Sequence, residues 1–268
     1  MTGISFILPT SGTNDPVLNQ IIDSIEIQNI PEYQIIIIGG FATTVNRKNT
    51  VHIPFNESIT TSAWISRKKN TGVLASKYDI LVVMHDYQVL DENWYEEFVN
   101  FGLDWDICVH QNLAFDTNNP SRYVRGNGWR AERVPGYPEL PWAMQIPYDI
   151  DCFVPYMGIN GAYWCCKKDV MLDNLISEEY LWGDIEDTEW SSRVVPYWMG
   201  SPNSSANKIV ANPKCIVRNI KMKPGWPGNT DWDLVEKQFE PLWEELRAGK
   251  IRPGVPYYDS KTNQIRVA

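Results

Sequence analysis

The stretch WGDIEDTEWSSR, Trp182 to Arg193, brings three carboxylates, Glu186, Asp187 and Glu189, close together. A helix beginning near Asp184 would crowd them into its first turns, where the positive end of the helix dipole helps keep them ionised. An ionised carboxylate at a helix start is suited to accepting a proton from an attacking hydroxyl. Glu189 and Arg193 are spaced to pair along one helix face. On the residues alone, N-terminal capping with a solvated acidic face is the simpler account. A second cluster, His85-Asp86-Tyr87, sits in VVMHDYQVLDENW, where a β-branched run turns acidic as a buried strand does on reaching a polar site. Alternate residues of a strand point the same way, so a continuing strand would pair His85 with Tyr87 and turn Asp86 aside. Histidine suits Mn-type or Zn-type ions, whereas tyrosine is a poor ligand for Mg or Mn. The plain alternative for His85 is a hydrogen-bonded histidine at a strand end.

Positioning these groups requires a scaffold, and the first half of the chain alternates strand-like and helix-like patterns. ISFILP (Ile4 to Pro9) predicts a short buried strand. A helix follows from Pro16 to about Asn29, with Asp15 as cap, Pro at its first position, and Val17, Leu18, Ile21, Ile22 and Ile25 on one face. YQIIIIGG (Tyr33 to Gly40) is too continuously apolar for a half-exposed strand and suits the centre of a parallel sheet. A helix over Thr60 to Ser76, a strand over Asp79 to His85, a helix from Glu92 and a strand over Trp105 to Gln111 continue the alternation. Such alternation implies an α/β fold with right-handed crossovers and helices on both faces. Sites in these sheets lie at the carboxyl ends of strands, which puts Pro9 to Gly12, Gly39-Gly40 and His85 to Gln88 on one rim. From Phe115 to Pro155 the periodicity fails and the chain reads as a long ordered excursion, rich in Pro, Gly and Arg. After Lys221 a helix is expected from about Asp231, bent at Pro241 and ending near Gly249.

Bulk properties narrow the function. The 268 residues can bury a full core, and a formal charge of -9 argues against non-specific binding to nucleic acid or an anionic membrane surface. No apolar run approaches a membrane span, and MTGISFILPT lacks the basic start of a signal peptide. The cysteines Cys108, Cys152, Cys165, Cys166 and Cys215 have no metal-knuckle spacing, so they read as reduced, mostly buried thiols of a cytoplasmic protein. Among the 12 Trp residues, Trp129, Trp142, Trp182 and Trp226 fall in loops or at element ends, where an aromatic face can stack on a sugar; Trp164 and Trp190 read as core.

Four segments, in this order, resemble the GT-A glycosyltransferases, family 2 in particular. ISFILPTSGTND resembles their first strand and nucleotide turn. RKKNTGVLASKYDILVVMHDYQVLDENW resembles the Arg-Asn-x-Gly helix and the Asp-x-Asp strand, GINGAYWCCKKDVM the small-residue turn with its strand and helix, and WGDIEDTEWSSR the Glu-Asp motif shared with the galactosyltransferase group. Together they cover roughly residues 4 to 195.

The resemblance implies a GT-A, Rossmann-like, mostly parallel mixed sheet flanked by helices. A glycosyltransferase domain over 1–220 would comprise a nucleotide half (1–112) and a catalytic and acceptor half (113–220), followed by a helical extension (221–268). It implies that Pro9, Thr10, Ser11, Gly39, Lys69, Asn70, His85, Asp86, Tyr87, Asn160 and Gly161 meet the donor, with Asp187 as catalytic base and Glu186 beside it. The reaction would move a sugar from a nucleotide sugar, UDP-linked by preference, to a hydroxyl of a glycan or other acceptor. Inversion is the expected course, and retention stays open. Two departures accompany the match. Gly39-Gly40 stands where an acidic residue normally reads the base and ribose, and His85-Asp86-Tyr87 replaces the two carboxylates that hold Mn or Mg on the diphosphate. His85 and Asp86 remain candidate metal ligands. Metal independence is the alternative, with Lys69, Arg122, Arg125, Arg130, Arg133, Lys221 or Lys223 neutralising the diphosphate. The competing functions are a degenerate binder of nucleotide sugars or glycans and, last, a nucleotidyltransferase, for which PTSGTND lacks the glycine-rich basic loop.

Overall fold

The structure, a computed structural model, describes residues 3–11, 15–40, 47–56, 64–115, 123–125, 130–131, 144–145, 154, 158–181, 185–196 and 206–221, and beyond these 237, 240–241, 243–245, 247–250, 256–259 and 264–267. Its main sheet runs β3 (Thr50–Ile53), β2 (Tyr33–Ile38), β1 (Ile4–Pro9), β4 (Ile80–Met84), β10 (Tyr163–Lys167), β6 (Ile107–Phe115), β11 (Ile209–Asn219), β5 (Gln88–Leu90), with β7 (Tyr123–Arg125) also paired to β6. β3, β2, β1 and β4 are parallel; β10 runs against both β4 and β6, so β6 and its parallel neighbour β11 share the direction of the first four. The expected mixed, mostly parallel sheet with flanking helices is what the chain forms.

Strand alternation explains the two-sided core. Ile4, Phe6, Leu8, Ile35, Ile37, Ile80, Val82 and Met84 project to one face, where they meet Leu18, Ile21, Ile22 and Ile25 of α1 (Asp15–Glu26) and Trp94 and Phe98 of α3 (Trp94–Phe101). The intervening Ile7, Ile36, Ile38, Leu81 and Val83 face Val73 of α2 (Ile65–Ala75), Val170 and Met171 of α4 (Lys168–Asp173), and Trp190 and Val194 of α5 (Glu186–Val194). Burying each such side chain contributes roughly 1.5–3 kcal/mol, which is why these near-continuous apolar strands need helices on both faces. Trp164 and Trp190 are core, as expected, with ring centroids 5.2 Å apart. Cys108, Cys165, Cys166 and Cys215 are free and buried, and burial pushes their thiols up, away from thiolate chemistry; Cys152 lies outside the described residues.

Two features of the topology make the site. The chain passes from β1 outward to β2 and β3, then returns across β1 to β4, so the order reverses between β1 and β4. In open α/β sheets ligands bind where the order reverses, outside the carboxyl ends of the strands. β10 inserts antiparallel beside β4, pairing Tyr163 with Met84, so the turn that precedes β10 arrives at the same rim. α2 packs closely on β1 because residue 72 is glycine; a Cβ there would run into the Ile7 side chain. The strand β3 and the central position of β10 were not apparent from periodicity.

In the tail, helical residues occur between 237 and 247, and Gly249 takes a left-handed conformation (φ +67°) suited to ending a helix. The extension is not helical throughout, since β12 (Pro256–Asp259) and β13 (Gln264–Val267) form an antiparallel pair. The 115–155 excursion, expected to lack periodic structure, contains short strands: β7, and β8 (Arg130–Ala131) paired with β9 (Met144–Gln145). No described helix is long and apolar enough to cross a membrane.

Candidate active site

At the reversal point, Thr10 follows β1 and donates its hydroxyl to Asp86 Oδ2 at 2.9 Å. The Thr10 backbone is fixed from both sides: its N–H donates to Ile38 O at 2.9 Å, and its carbonyl accepts from Lys68 Nζ at 2.8 Å. Gly39, with φ +136°, lies against that carbonyl so closely that any Cβ would collide with it. The Gly39 carbonyl accepts from His52 Nε2 at 2.7 Å. Gly39 therefore serves the close approach of β1 and β2, and among the described side chains Lys68 and His52 reach it. Neither was anticipated. Lys68 precedes the Lys69-Asn70 pair that matched the motif, and His52 belongs to the unanticipated strand β3.

β4 stops at Met84, and residues 85–87 form a turn closed by Gln88 N–H on the His85 carbonyl at 3.2 Å. The strand does not continue, yet His85 still pairs with Tyr87 and Asp86 turns to the other side, as alternation expected. It is Asp86 that faces the rim, with Lys221 Nζ 3.5 Å from its Oδ1, while His85 and Tyr87 turn inward, with Nδ1 and the hydroxyl 3.1 Å apart. Lys221 Nζ also stands 5.8 Å from the Tyr87 ring centroid, and the backbone of Ile220 donates to Tyr87 O at 2.8 Å. Burial raises the Tyr87 phenol pKa, and the charges of Asp86, Glu186 and Asp187 raise it further, so Tyr87 stays a neutral hydroxyl. Those three carboxylates thus act on one point, and the two sequence clusters are neighbours.

The second half of the site is the start of α5. Glu186, Asp187 and Glu189 occupy its first turn, as the spacing predicted. Glu186 is buried and pairs with Lys69 Nζ at 3.1 Å. Lys69 is wholly buried, donates to Gly161 O at 2.8 Å, and lies 4.7 Å from a Trp164 ring centroid. Asp187 Oδ2 accepts from Gly161 N–H at 2.9 Å, and Oδ1 accepts from Thr188 N–H at 2.8 Å. A Cβ on residue 161 would sit 2.8 Å from Asp187 Oδ2 and 2.9 Å from its Cβ, so only glycine admits the carboxylate. Asn160 shapes this turn by accepting from Ala162 N–H at 2.8 Å, and His85 N–H donates to Ala162 O at 2.9 Å, joining the turn to β4.

The remaining sequence candidates divide clearly. Asn70 exchanges two hydrogen bonds with Ile176, at 2.8 and 3.0 Å, and so pins the segment that leads from α4 to α5. Glu189 and Arg193 form the expected pair at 2.6 Å, and Arg193 also donates to Leu175 O at 2.8 Å. Pro9 closes β1 and is buried, and Ser11 is exposed beside it. Arg122, Arg133, Lys223, Trp129, Trp142, Trp182 and Trp226 lie outside the described residues; of Arg125 and Arg130 the structure describes only their places in β7 and β8.

The fold is shared with S. aureus TarS. The crystal structure of TarS 1-349 superposes with a TM-score of 0.52 at 12% sequence identity, covering 82% of this chain and 60% of that one. The same protein in complex with UDP gives 0.53 at 11% identity, with 80% and 59% coverage. At this identity the likeness establishes the fold, and the chain spans about 60% of the length of these structures. No family model and no curated protein matches the sequence.

The GT-A resemblance implies a divalent metal, and the described residues do not fit one at this rim. In the turn after β4, Asp86 offers one carboxylate, with Thr10 on one oxygen and Lys221 near the other, and His85 Nδ1 is engaged with Tyr87. Among the described residues, no group of three or more His, Cys, Asp or Glu is arranged to hold a metal ion.

Proposed function

We propose that the chain is a glycosyltransferase that moves a sugar from a nucleoside diphosphate, UDP first, to a hydroxyl acceptor. The observation that carries this reading is the meeting, on one rim, of the β1–β4 reversal point with a carboxylate held at a helix start. Thr10 and Asp86 mark the donor side, and Asp187 under Gly161 marks the side from which an acceptor is deprotonated. The UDP bound by TarS, which shares the fold, supports the nucleotide class.

In this reading the acceptor hydroxyl attacks the anomeric carbon and gives its proton to Asp187. A carboxylate has about four lone-pair positions, so the two backbone N–H bonds leave room for a substrate hydroxyl. Those bonds and the glycine contact hold the oxygens in place, which is the preorganisation that general-base work needs. Glu186, neutralised by Lys69, acts as a support beneath Asp187. Lys69 and Asn70, expected at the donor, also become supports of the α5 side. Inversion follows if the base lies opposite the leaving group.

The test is turnover of a panel of nucleotide sugars with simple glycan acceptors, beside calorimetric binding of the nucleoside diphosphates. Asp187→Asn should lower kcat by about 100-fold or more and leave donor binding intact, the span typical of a general base. Undiminished transfer by that variant would remove Asp187 as base. Binding of donors with no transfer to any acceptor would favour the degenerate binder, a reading that the replacement of Asp-x-Asp by His85-Asp86-Tyr87 keeps in view.

A further inference from the structure

We propose that Lys221 takes the place of the divalent cation at the donor diphosphate, so that donor binding and departure of the leaving group need no metal. The inference rests on the nucleotide-sugar reading above and adds the group that neutralises the leaving diphosphate.

A metal in a sugar-nucleotide site bridges a protein carboxylate to phosphate oxygens. Lys221 already occupies the protein end of that bridge. Its ammonium is 3.5 Å from Asp86 Oδ1, while Thr10 holds the other oxygen at 2.9 Å. A divalent cation approaching Asp86 would meet this ammonium at close range and be repelled. The ammonium has three donors, so one can stay with Asp86 while the others reach phosphate oxygens. Its position is built rather than loose. The main chain of Ile220 is tied to Tyr87 O at 2.8 Å, and the Lys221 ammonium lies 5.8 Å from the Tyr87 ring centroid. Lys221 keeps 39% of its side chain accessible, so a ligand can approach it. Lys68 and Lys69, described lysines near the rim, are almost wholly buried and donate to backbone carbonyls.

In the transfer step, the bond between the anomeric carbon and the bridging phosphate oxygen breaks, and its electron pair stays on the leaving diphosphate. The acceptor oxygen bonds to the anomeric carbon and its proton passes to Asp187. Lys221 remains protonated throughout and stabilises the charge that develops on the leaving oxygen.

The experiment is calorimetric titration of the full chain with UDP, GDP, CDP and dTDP, once in EDTA and once in excess Mn. The expected result is a diphosphate whose Kd agrees within threefold in the two buffers. Lys221→Met should weaken binding at least tenfold in EDTA, and Lys221→Arg should recover most of the loss. Far-ultraviolet circular dichroism and Tm confirm folding of both variants, and Lys221→Gln replaces any that fails. A diphosphate that binds only with Mn, or one bound equally by Lys221→Met and the wild type, overturns the role of Lys221 and leaves the nucleotide-sugar reading standing. No binding of any diphosphate in either buffer overturns that reading, and this inference with it.

Discussion

The two halves of the site are built in opposite ways. At the end of β4, Asp86 and Lys221 are an accessible pair, held by one hydroxyl and a long side chain. At the start of α5, Glu186 and Lys69 are a buried pair, and Asp187 is wedged against a glycine by two backbone N–H groups. An accessible pair can exchange partners when a charged ligand arrives. A buried pair cannot, because separating it leaves a charge stranded in the core. Under the proposed function this amounts to a division of labour, in which the rim would adapt to a donor and the α5 side would hold the base still. The strongest way to break that contrast is Lys69→Met, which strands Glu186. Loss of one partner of a buried pair costs about 3–5 kcal/mol, a fall in Tm of many degrees measurable by thermal melts. Adding Glu186→Gln should recover most of the stability. If Lys69→Met melts like the wild type, the buried pair is not what fixes α5.

Gly161→Ala is the more selective break. A methyl placed 2.8 Å from Asp187 Oδ2 must push the carboxylate or the turn aside. Overpacking of this kind costs about 1–3 kcal/mol. Displacing a catalytic group by an ångström lowers kcat on the order of 100-fold. Steady-state kinetics should show that fall in kcat with donor KM within a fewfold of wild type. A rise in KM alone would put residue 161 on the donor side instead.

The contrast also separates what could be read from the sequence from what could not. α5 and its carboxylates were legible because helix starts carry local signals, and the i,i+4 pairing of Glu189 with Arg193 needs nothing outside the helix. The buried runs Ile4–Pro9, Tyr33–Ile38 and Ile80–Met84 were legible because a doubly covered strand is continuously apolar. Which side of the His85–Tyr87 stretch would face the rim was not. Whether a strand continues past Met84 depends on β10 and β11 arriving beside it, with Ala162 O accepting from His85 N–H and Ile220 donating to Tyr87 O. The partners of Lys69 were equally hidden, since Glu186 lies 117 positions away and the motif match pointed toward the donor. β3 failed to register because four residues with mixed polarity carry no clear period.

The mildest test acts on the rim. Thr10→Val keeps the shape of the side chain and removes the hydroxyl that donates to Asp86 at 2.9 Å. A hydrogen bond to a charged group contributes roughly 1.5–3 kcal/mol at most, and less where, as here, the carboxylate keeps its lysine and some water. Stability should therefore fall by about 1 kcal/mol or less, near the limit of a denaturant titration. The kinetic effect should mirror that of Gly161→Ala. Asp86 loses one of the two groups that orient it and Lys221 loses a fixed neighbour, so donor KM should rise a fewfold while kcat holds. A fall in kcat with unchanged KM would mean that Thr10 and Asp86 act on the chemical step, and the division between an adaptable rim and a rigid base would fail at its weaker end.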